Sequence, residues 1–441
     1  MIDKASQKIC PMLTLQEICI QLGLNPGDAA VVLVLLLTLP LALMYRLLPI
    51  PGFVQVIVNL VIGLYGTRLI WGNDALAVIF IIALICYVLV FLQRVGVPPS
   101  IPCIISTFVL WYFQAQHMFS DYLSWRVDIA TPLMLLVARV STFSYDVYDG
   151  KTGQVANPYS IKTIPNVLYF MSYIFSVFTL VGGPAILYRQ YMDPIDKPDM
   201  SFRPALKAIL YFSIAVCGLI LSGRIPQLST NYWFTADFAN LCLFTKLIVL
   251  HLGTFVGRCK YYAAWSFAEF SLVLAGYNSE SACNADIFQL ETAWNMPSAL
   301  GQWNKSISYW LKTYVFKRGP FTSRTMNMAL TRFVSAFWHG FYPGYYLTFM
   351  FLLLGDKAEA ACKATISPIL AAKLPSKVYN LLAIIGTHFA ITYYTLPFAV
   401  LSFDRSIQIW KSIGFIGHIV HIVAIFGLPM VFSKVNNTKS D

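Results

Sequence analysis

Charge is scarce in this sequence. Only 12% of its 441 residues are Asp, Glu, Lys or Arg, against roughly a quarter in soluble domains, which excludes an ordinary water-soluble globular protein. Acid is scarcer than base, with 20 Asp and Glu against 31 Lys and Arg and a net charge of +11. Few carboxylates fall in apolar stretches; Asp146, Asp149 and Glu269 are the notable ones, and no pair is poised for glycosidic chemistry. The nine cysteines include no CxxC pair, which argues against zinc and dithiol redox motifs. GxSxG and HExxH are both absent, which removes the commonest serine-hydrolase and zinc-protease signatures. His418 and His421 lie three apart without a Cys, Asp or Glu at ligand spacing, so no metal is expected.

What is abundant is apolar. Hydrophobic residues make up 58% of the chain and the mean hydropathy is +0.65. They fall in long continuous runs rather than in alternation, which favours helices over strands. About 20 such residues cross a hydrocarbon core of roughly 30 Å as a helix. The runs over 29–45, 52–71, 75–92, 101–119, 128–143, 167–187, 205–222, 236–256, 263–277, 328–354, 378–401 and 413–432 predict an all-α polytopic membrane protein of about ten to twelve helices. One membrane domain is expected over 29–433, with an N-terminal segment 1–28 and a short polar tail 434–441. Residues 13–24 read as an amphipathic helix on the membrane surface, and the first 28 residues lack the features of a cleavable signal peptide. No internal repeat is apparent, which weighs against transporter folds built from duplicated halves.

Two stretches resist a purely structural reading. From Thr292 to Gly355 there is no Asp or Glu, while Lys305, Lys312, Lys317, Arg318, Arg324 and Arg332 all fall there. Such a stretch suits a polyanion, either the phosphates of coenzyme A or anionic lipid. Within it, Trp303, Ile307, Trp310, Leu311, Tyr314 and Val315 form one apolar stripe of a helix, and the amide of Asn304 sits beside that stripe. The second stretch surrounds His339, an ionisable group deep in an apolar run and so a functional candidate. Arg332, Ser335, Tyr342 and Tyr346 extend a polar stripe on its face at helical spacing, and Pro343-Gly344 should break the helix. A broken helix at membrane depth lines a cavity or is buried in protein, and a neutral imidazole facing such a chamber suits a general base. His117 and His251 lie near span ends, and His388 is mid-span beside Thr387.

These residues carry a resemblance. Trp338-His339-Gly340-Phe341-Tyr342-Pro343-Gly344-Tyr345 resembles the WHGxxPGY motif of the membrane-bound O-acyltransferase (MBOAT) family, in its lysophospholipid acyltransferase branch. In family order, Phe143 to Gly150 resembles the segment ending in Asp-Gly, and Arg258 to Glu269 resembles RxKYYxxWxxAE. Trp303-Asn304 with Trp310-Leu311 resembles WNxxxxxWL, and the blocks Tyr394–Phe398 and Phe415–His418 complete the set. The FYxDWWN-type motif of the sterol and diacylglycerol branch is absent.

The resemblance implies helices around a central tunnel, with His339 and Asn304 as catalytic residues. It implies transfer of a fatty acyl group from acyl-CoA, as co-substrate, to the free hydroxyl of a lysophospholipid. A family member acylating a secreted peptide, or a transporter or scramblase using His339 as a proton relay, is the alternative reading. Trp303, Trp338, Tyr342, Tyr346, Ser335, Lys312, Arg332, Glu269 and His388 are the candidate substrate-binding residues. Acyl-CoA, lysophospholipid and the bilayer are the expected partners. No resident cofactor and no nucleic acid are expected, oligomeric state is left open, and the family implies a multi-pass protein of the endoplasmic reticulum membrane.

Overall fold

A computed structural model describes residues 26–124, 127–153 and 155–437. The amphipathic helix expected over 13–24 and residues 438–441 of the expected tail lie outside the described residues. Among the described residues the regular elements are all helices. We number the principal ones α1 Pro26–Leu47, α2 Gly52–Phe91, α3 Ser100–Ser120, α4 Ala130–Thr152, α5 Val167–Ile174, α6 Tyr188–Asp196, α7 Arg203–Arg224 and α8 Leu243–Leu274. They continue as α9 Lys305–Trp310, α10 Arg324–His339, α11 Pro343–Ala364, α12 Ile366–Lys373, α13 Ser376–Val400, α14 Phe403–Ser412 and α15 Ile416–Ile422. A π-helical turn, Leu311–Phe316, prolongs α9.

Apolar side chains face outward along many of these helices. On α7, Leu206, Leu210, Ile214, Ile220 and Leu221 are each at least half exposed, a surface that lipid tolerates and water does not. Among the described residues four helices are long and apolar enough on their own to cross a membrane, and a fifth span is gained if the pair bent by 83° after Ser412 counts as one. Several of the others, such as Val167–Ile174 and Arg324–His339, are too short to cross on their own.

Three differences between the helix boundaries and the sequence expectation shape the core. The runs 52–71 and 75–92 form one helix with a kink at Gly72, where φ is +86°. Most of the runs 236–256 and 263–277 also merge, into the 32 residues of α8, while Ala236–Asn240 forms a short helix of its own; α8 is about 48 Å long at 1.5 Å per residue. The polar stretch from Arg258 to Tyr262 reads as a break, yet Arg258 is buried and paired with Glu291 at 2.9 Å, so the helix passes through unbroken.

The third difference is the run 167–187, which does not span. Helix α5 ends at Ile174, a 3-10 turn covers Val177–Thr179, and the chain then runs irregularly through Gly182-Gly183-Pro184. This segment is buried rather than lipid-facing, the condition under which irregular backbone is tolerated at membrane depth. Its freed polar groups are met by side chains. The Arg139 guanidinium on α4 donates to the carbonyls of Ile174 (2.8 Å), Tyr173 (3.3 Å) and Thr179 (3.4 Å) and to the Thr179 hydroxyl. Asn59 on α2 accepts from Val177 N at 3.2 Å. Arg139 thus supplies the donors that a continuing helix would have supplied. Arg139→Met leaves those carbonyls unpaired, and we expect a loss of about 2–3 kcal/mol, read as a lower melting temperature in detergent.

Candidate active site

The break expected after His339 is present, and its geometry explains the motif residue by residue. Helix α10 ends at His339, and Gly340 follows at φ +123°, a conformation that disfavours any side chain. The last carbonyls of α10 have no helical donors of their own. Trp111 Nε1 donates to Phe337 O (3.0 Å) and Gln114 Nε2 to Trp338 O (2.9 Å), both from α3, while the Tyr346 hydroxyl donates to Gly340 O (3.0 Å). Pro343 opens α11 at its first helical position, where a missing N–H costs nothing. Gly344 lies against α13, and a Cβ there would stand 2.1 Å from Pro397 O. Gly344→Ala therefore forces the two backbones apart, and we expect sharply reduced yield of folded protein on size exclusion.

His339 sits in a cage of rings. Centroids of Trp338, Phe398, Tyr345 and Phe349 lie 4.8, 5.0, 5.4 and 5.5 Å away. The imidazole is half-buried and has no hydrogen-bond partner among the described residues, so its nitrogens remain available.

Asn304 takes a left-handed conformation, φ +45° and ψ +57°, which asparagine tolerates better than most residues. Its Oδ1 accepts from Asn284 Nδ2 at 3.1 Å. Asn284 is buried, and its own Oδ1 accepts from Ser306 N (3.1 Å) and Ser306 Oγ (2.8 Å), while its carbonyl accepts from Lys305 N (2.8 Å). Ser306 Oγ accepts in turn from Ala185 N at 2.9 Å. The loop carrying Asn284 is anchored by Asp286, which caps the short helix Ile287–Glu291 and holds Lys207 at 2.5 Å. Burial raises the Asp286 carboxyl, but Lys207, the Gln289 N–H and Tyr211 outweigh it and hold the group below its ordinary range.

Asn304 and His339 make no direct hydrogen bond; they are positioned on a common support. Helix α4 accepts Trp338 Nε1 at Met134 O (2.9 Å). Near its other end Asp146 accepts from the Tyr314 hydroxyl (2.5 Å) and Asp149 from Arg318 (2.5 Å), with Asn157 Nδ2 bridging both carboxylates. The helix of Asn304 and the helix of His339 are thus both fastened to α4, and they meet where Trp310 and Trp338 pack at 6.0 Å.

The other candidates divide. Trp303 packs in an aromatic box with Tyr261, Tyr262 and Trp265 at 4.9–5.8 Å. Trp338, Tyr342 and Tyr346 each have hydrogen-bonded tips that hold backbone, Tyr342 through Leu123 N. Ser335 is buried on α10. Glu269 is buried on α8, near Cys283. His388 lies 3.6 Å from Glu291, which Arg258 and Tyr262 also hold. Burial raises the Glu291 carboxyl, but Arg258 and Tyr262 more than offset it and keep it below its ordinary range.

The basic stretch is less bare than its sequence suggests. Arg318 pairs with Asp149 and Arg332 with Asp356, carboxylates outside 292–355. Lys312, Lys317 and Arg324 are exposed and have no carboxylate partner among the described residues. His418 and His421 bind the hydroxyls of Tyr393 and Tyr394 at 2.5 Å, away from His339.

Sequence reasoning missed Asn284, Trp111 and Gln114. Asn284 lies in a polar loop with no periodicity, and Trp111 and Gln114 lie more than 200 residues from the carbonyls they serve.

The chain is 27% identical to "Lysophospholipid acyltransferase" of Schizosaccharomyces pombe, over 94% of this chain and 89% of that protein. It is 25% identical to "Lysophospholipid acyltransferase 6" of Drosophila melanogaster, over 83% of this chain and 56% of that protein. It is 25% identical to human "Membrane-bound glycerophospholipid O-acyltransferase 2", over 70% of this chain and 66% of that protein. The chain thus spans somewhat over half to nine tenths of these relatives' lengths. A family profile described as "MBOAT, membrane-bound O-acyltransferase family" matches residues 99–396, which hold α4, Asn304 and His339. Matched over about two thirds of its length, the chain belongs to the membrane-bound O-acyltransferase family.

Proposed function

We propose that this protein transfers a fatty acyl group from acyl-CoA to the free hydroxyl of a lysophospholipid, in the endoplasmic reticulum membrane. The observation that carries the reading is the likeness, over 94% of the chain, to a protein named for that activity. The fastening of the helices of Asn304 and His339 to α4 supports it.

A His339 ring nitrogen takes the proton of the lysophospholipid hydroxyl as its oxygen attacks the thioester carbonyl. The carbonyl oxygen gains negative charge, and the Asn304 Nδ2 hydrogens donate to it. The tetrahedral intermediate collapses to the new ester and expels the CoA sulfur, which takes the proton back from the imidazolium. No covalent acyl-enzyme is needed. The aromatic cage excludes water, which would otherwise consume the thioester. Lys312, Lys317 and Arg324 are the candidates for the CoA phosphates.

The test is CoA release by purified protein with oleoyl-CoA and a panel of lysophospholipids, read with a thiol reagent. Lysolipid-dependent release that disappears in His339→Ala supports the reading and names the headgroup. No release with any lysolipid sinks it and turns attention to peptide acceptors. Replacing Lys312, Lys317 and Arg324 together by Gln should raise the KM for acyl-CoA at least about tenfold, since each charge-assisted phosphate contact contributes about 1 kcal/mol or more. The KM for lysophospholipid should stay within about twofold.

A further inference from the structure

We infer that Asn284 is a positioning residue that fixes the orientation of the Asn304 amide, turning its NH2 group toward the reacting thioester. This rests on the acyltransferase reading above. One contact admits no ambiguity. A backbone N–H can only donate, so the Ser306 N–H at 3.1 Å makes the contacting Asn284 atom the oxygen. The other end of that amide is then Nδ2, which can only donate. It lies 3.1 Å from Asn304, so the Asn304 atom it touches must be Oδ1. What remains on Asn304 is Nδ2 with both hydrogens and no partner among the described residues. Amide oxygen and nitrogen are nearly alike in shape and are assigned from such networks; here the network leads back to the main chain.

The arrangement is held from three sides. Ser306 Oγ donates to the same Asn284 oxygen at 2.8 Å and receives Ala185 N, which lies on the irregular segment before α6. Asn284 O accepts Lys305 N, closing the loop onto the residue after Asn304. The charged groups around the neighbouring Cys283 are Glu269, Lys305, Lys207 and Asp286, so the amide is set among balanced charges. An oxyanion donor must be oriented before the charge appears to be of full value. An asparagine free to turn would present its oxygen to the oxyanion part of the time.

Two substitutions separate orientation from mere packing. Asn284→Ala frees Asn304 to turn, and kcat should fall about threefold to tenfold. Asn284→Asp keeps an acceptor for Ser306 but offers Asn304 a second acceptor. That pulls Nδ2 away from the substrate, and kcat at pH 8 should fall on the order of 10²-fold, the cost of losing an oxyanion donor. The KM values should stay within about twofold of wild type. Position 284 is buried, and burial raises a carboxyl far above its ordinary range, so as pH falls from 8 to 6 the introduced group takes a proton and can again donate to Asn304 while accepting from Ser306. The ratio of variant to wild-type kcat should therefore climb at least tenfold.

A structural role alone gives a different pattern: Ala as damaging as Asp, losses tracking melting temperature, and a ratio flat with pH. That pattern, or Asn284→Asp within threefold of wild type at pH 8, overturns the inference. If wild-type protein releases no CoA with any lysolipid, the acyltransferase reading fails by itself. The pairing is then read from melting temperatures of Asn284→Ala, Asn304→Ala and the double variant. Non-additive losses support the contact and additive losses overturn it.

Discussion

His339→Ala should lower lysolipid-dependent CoA release by about a thousandfold or more, because a general base contributes about 10²–10⁴-fold and no other histidine shares its cage. The substitution is a clean one structurally. His339 makes no hydrogen bond among the described residues, so its removal orphans no polar group. The loss of contacts with Trp338, Tyr345, Phe349 and Phe398 leaves a cavity costing about 2–3 kcal/mol. His339→Gln fills most of that space without a group of suitable basicity, and it should be as inactive as Ala while melting closer to wild type. Turnover and melting temperature, measured on the same preparations, separate the two effects. Retention of more than about a tenth of the activity by His339→Gln would be incompatible with general-base work. It would direct the search to His388, whose Nε2 is buried and has no hydrogen bond.

The sequence pointed to this site more clearly than to the fold around it, for a physical reason. His339, Gly340, Pro343 and Gly344 are neighbours in the chain, and each breaks a local rule: an ionisable group in an apolar run, then residues that end a helix. Local violations can be read from sequence. The run 167–187 has its breakers, Gly182-Gly183-Pro184, only near its end, and nothing in the residues before them marks the end of the helix at Ile174. What lets it take an irregular path is Arg139, on the preceding helix, which supplies the missing hydrogen bonds. Arg258 misled in the opposite sense: its charge reads as a loop, but Glu291 neutralises it inside the protein. The pairs Arg318–Asp149 and Arg332–Asp356 changed the meaning of the basic stretch in the same way. In an interior with little water, each polar residue is decided by its partner, and the partner is usually distant in sequence.

Asn304→Asp should lower kcat about 10²-fold or more, the scale of a lost oxyanion donor, with little change in stability. The choice of Asp follows from the backbone. At φ +45° an ordinary side chain costs roughly 1–2 kcal/mol, so Asn304→Ala mixes a folding penalty with the chemical one. Asp tolerates that conformation as Asn does, and its carboxylate still accepts the Asn284 Nδ2 hydrogen. What it loses is the free NH2, and what it gains is a negative charge facing the developing oxyanion. Both changes act on the transition state more than on bound substrate, so the loss should appear in kcat with KM nearly unchanged. The two variants should therefore separate on two axes: Asp inactive and well folded, Ala inactive and less stable. If Asn304 merely packed or capped α9, the order would reverse. Asp would keep activity along with the backbone, and only Ala would lose it. CoA release and melting temperature on the two proteins decide between a donor to the reaction and a residue that only shapes the turn.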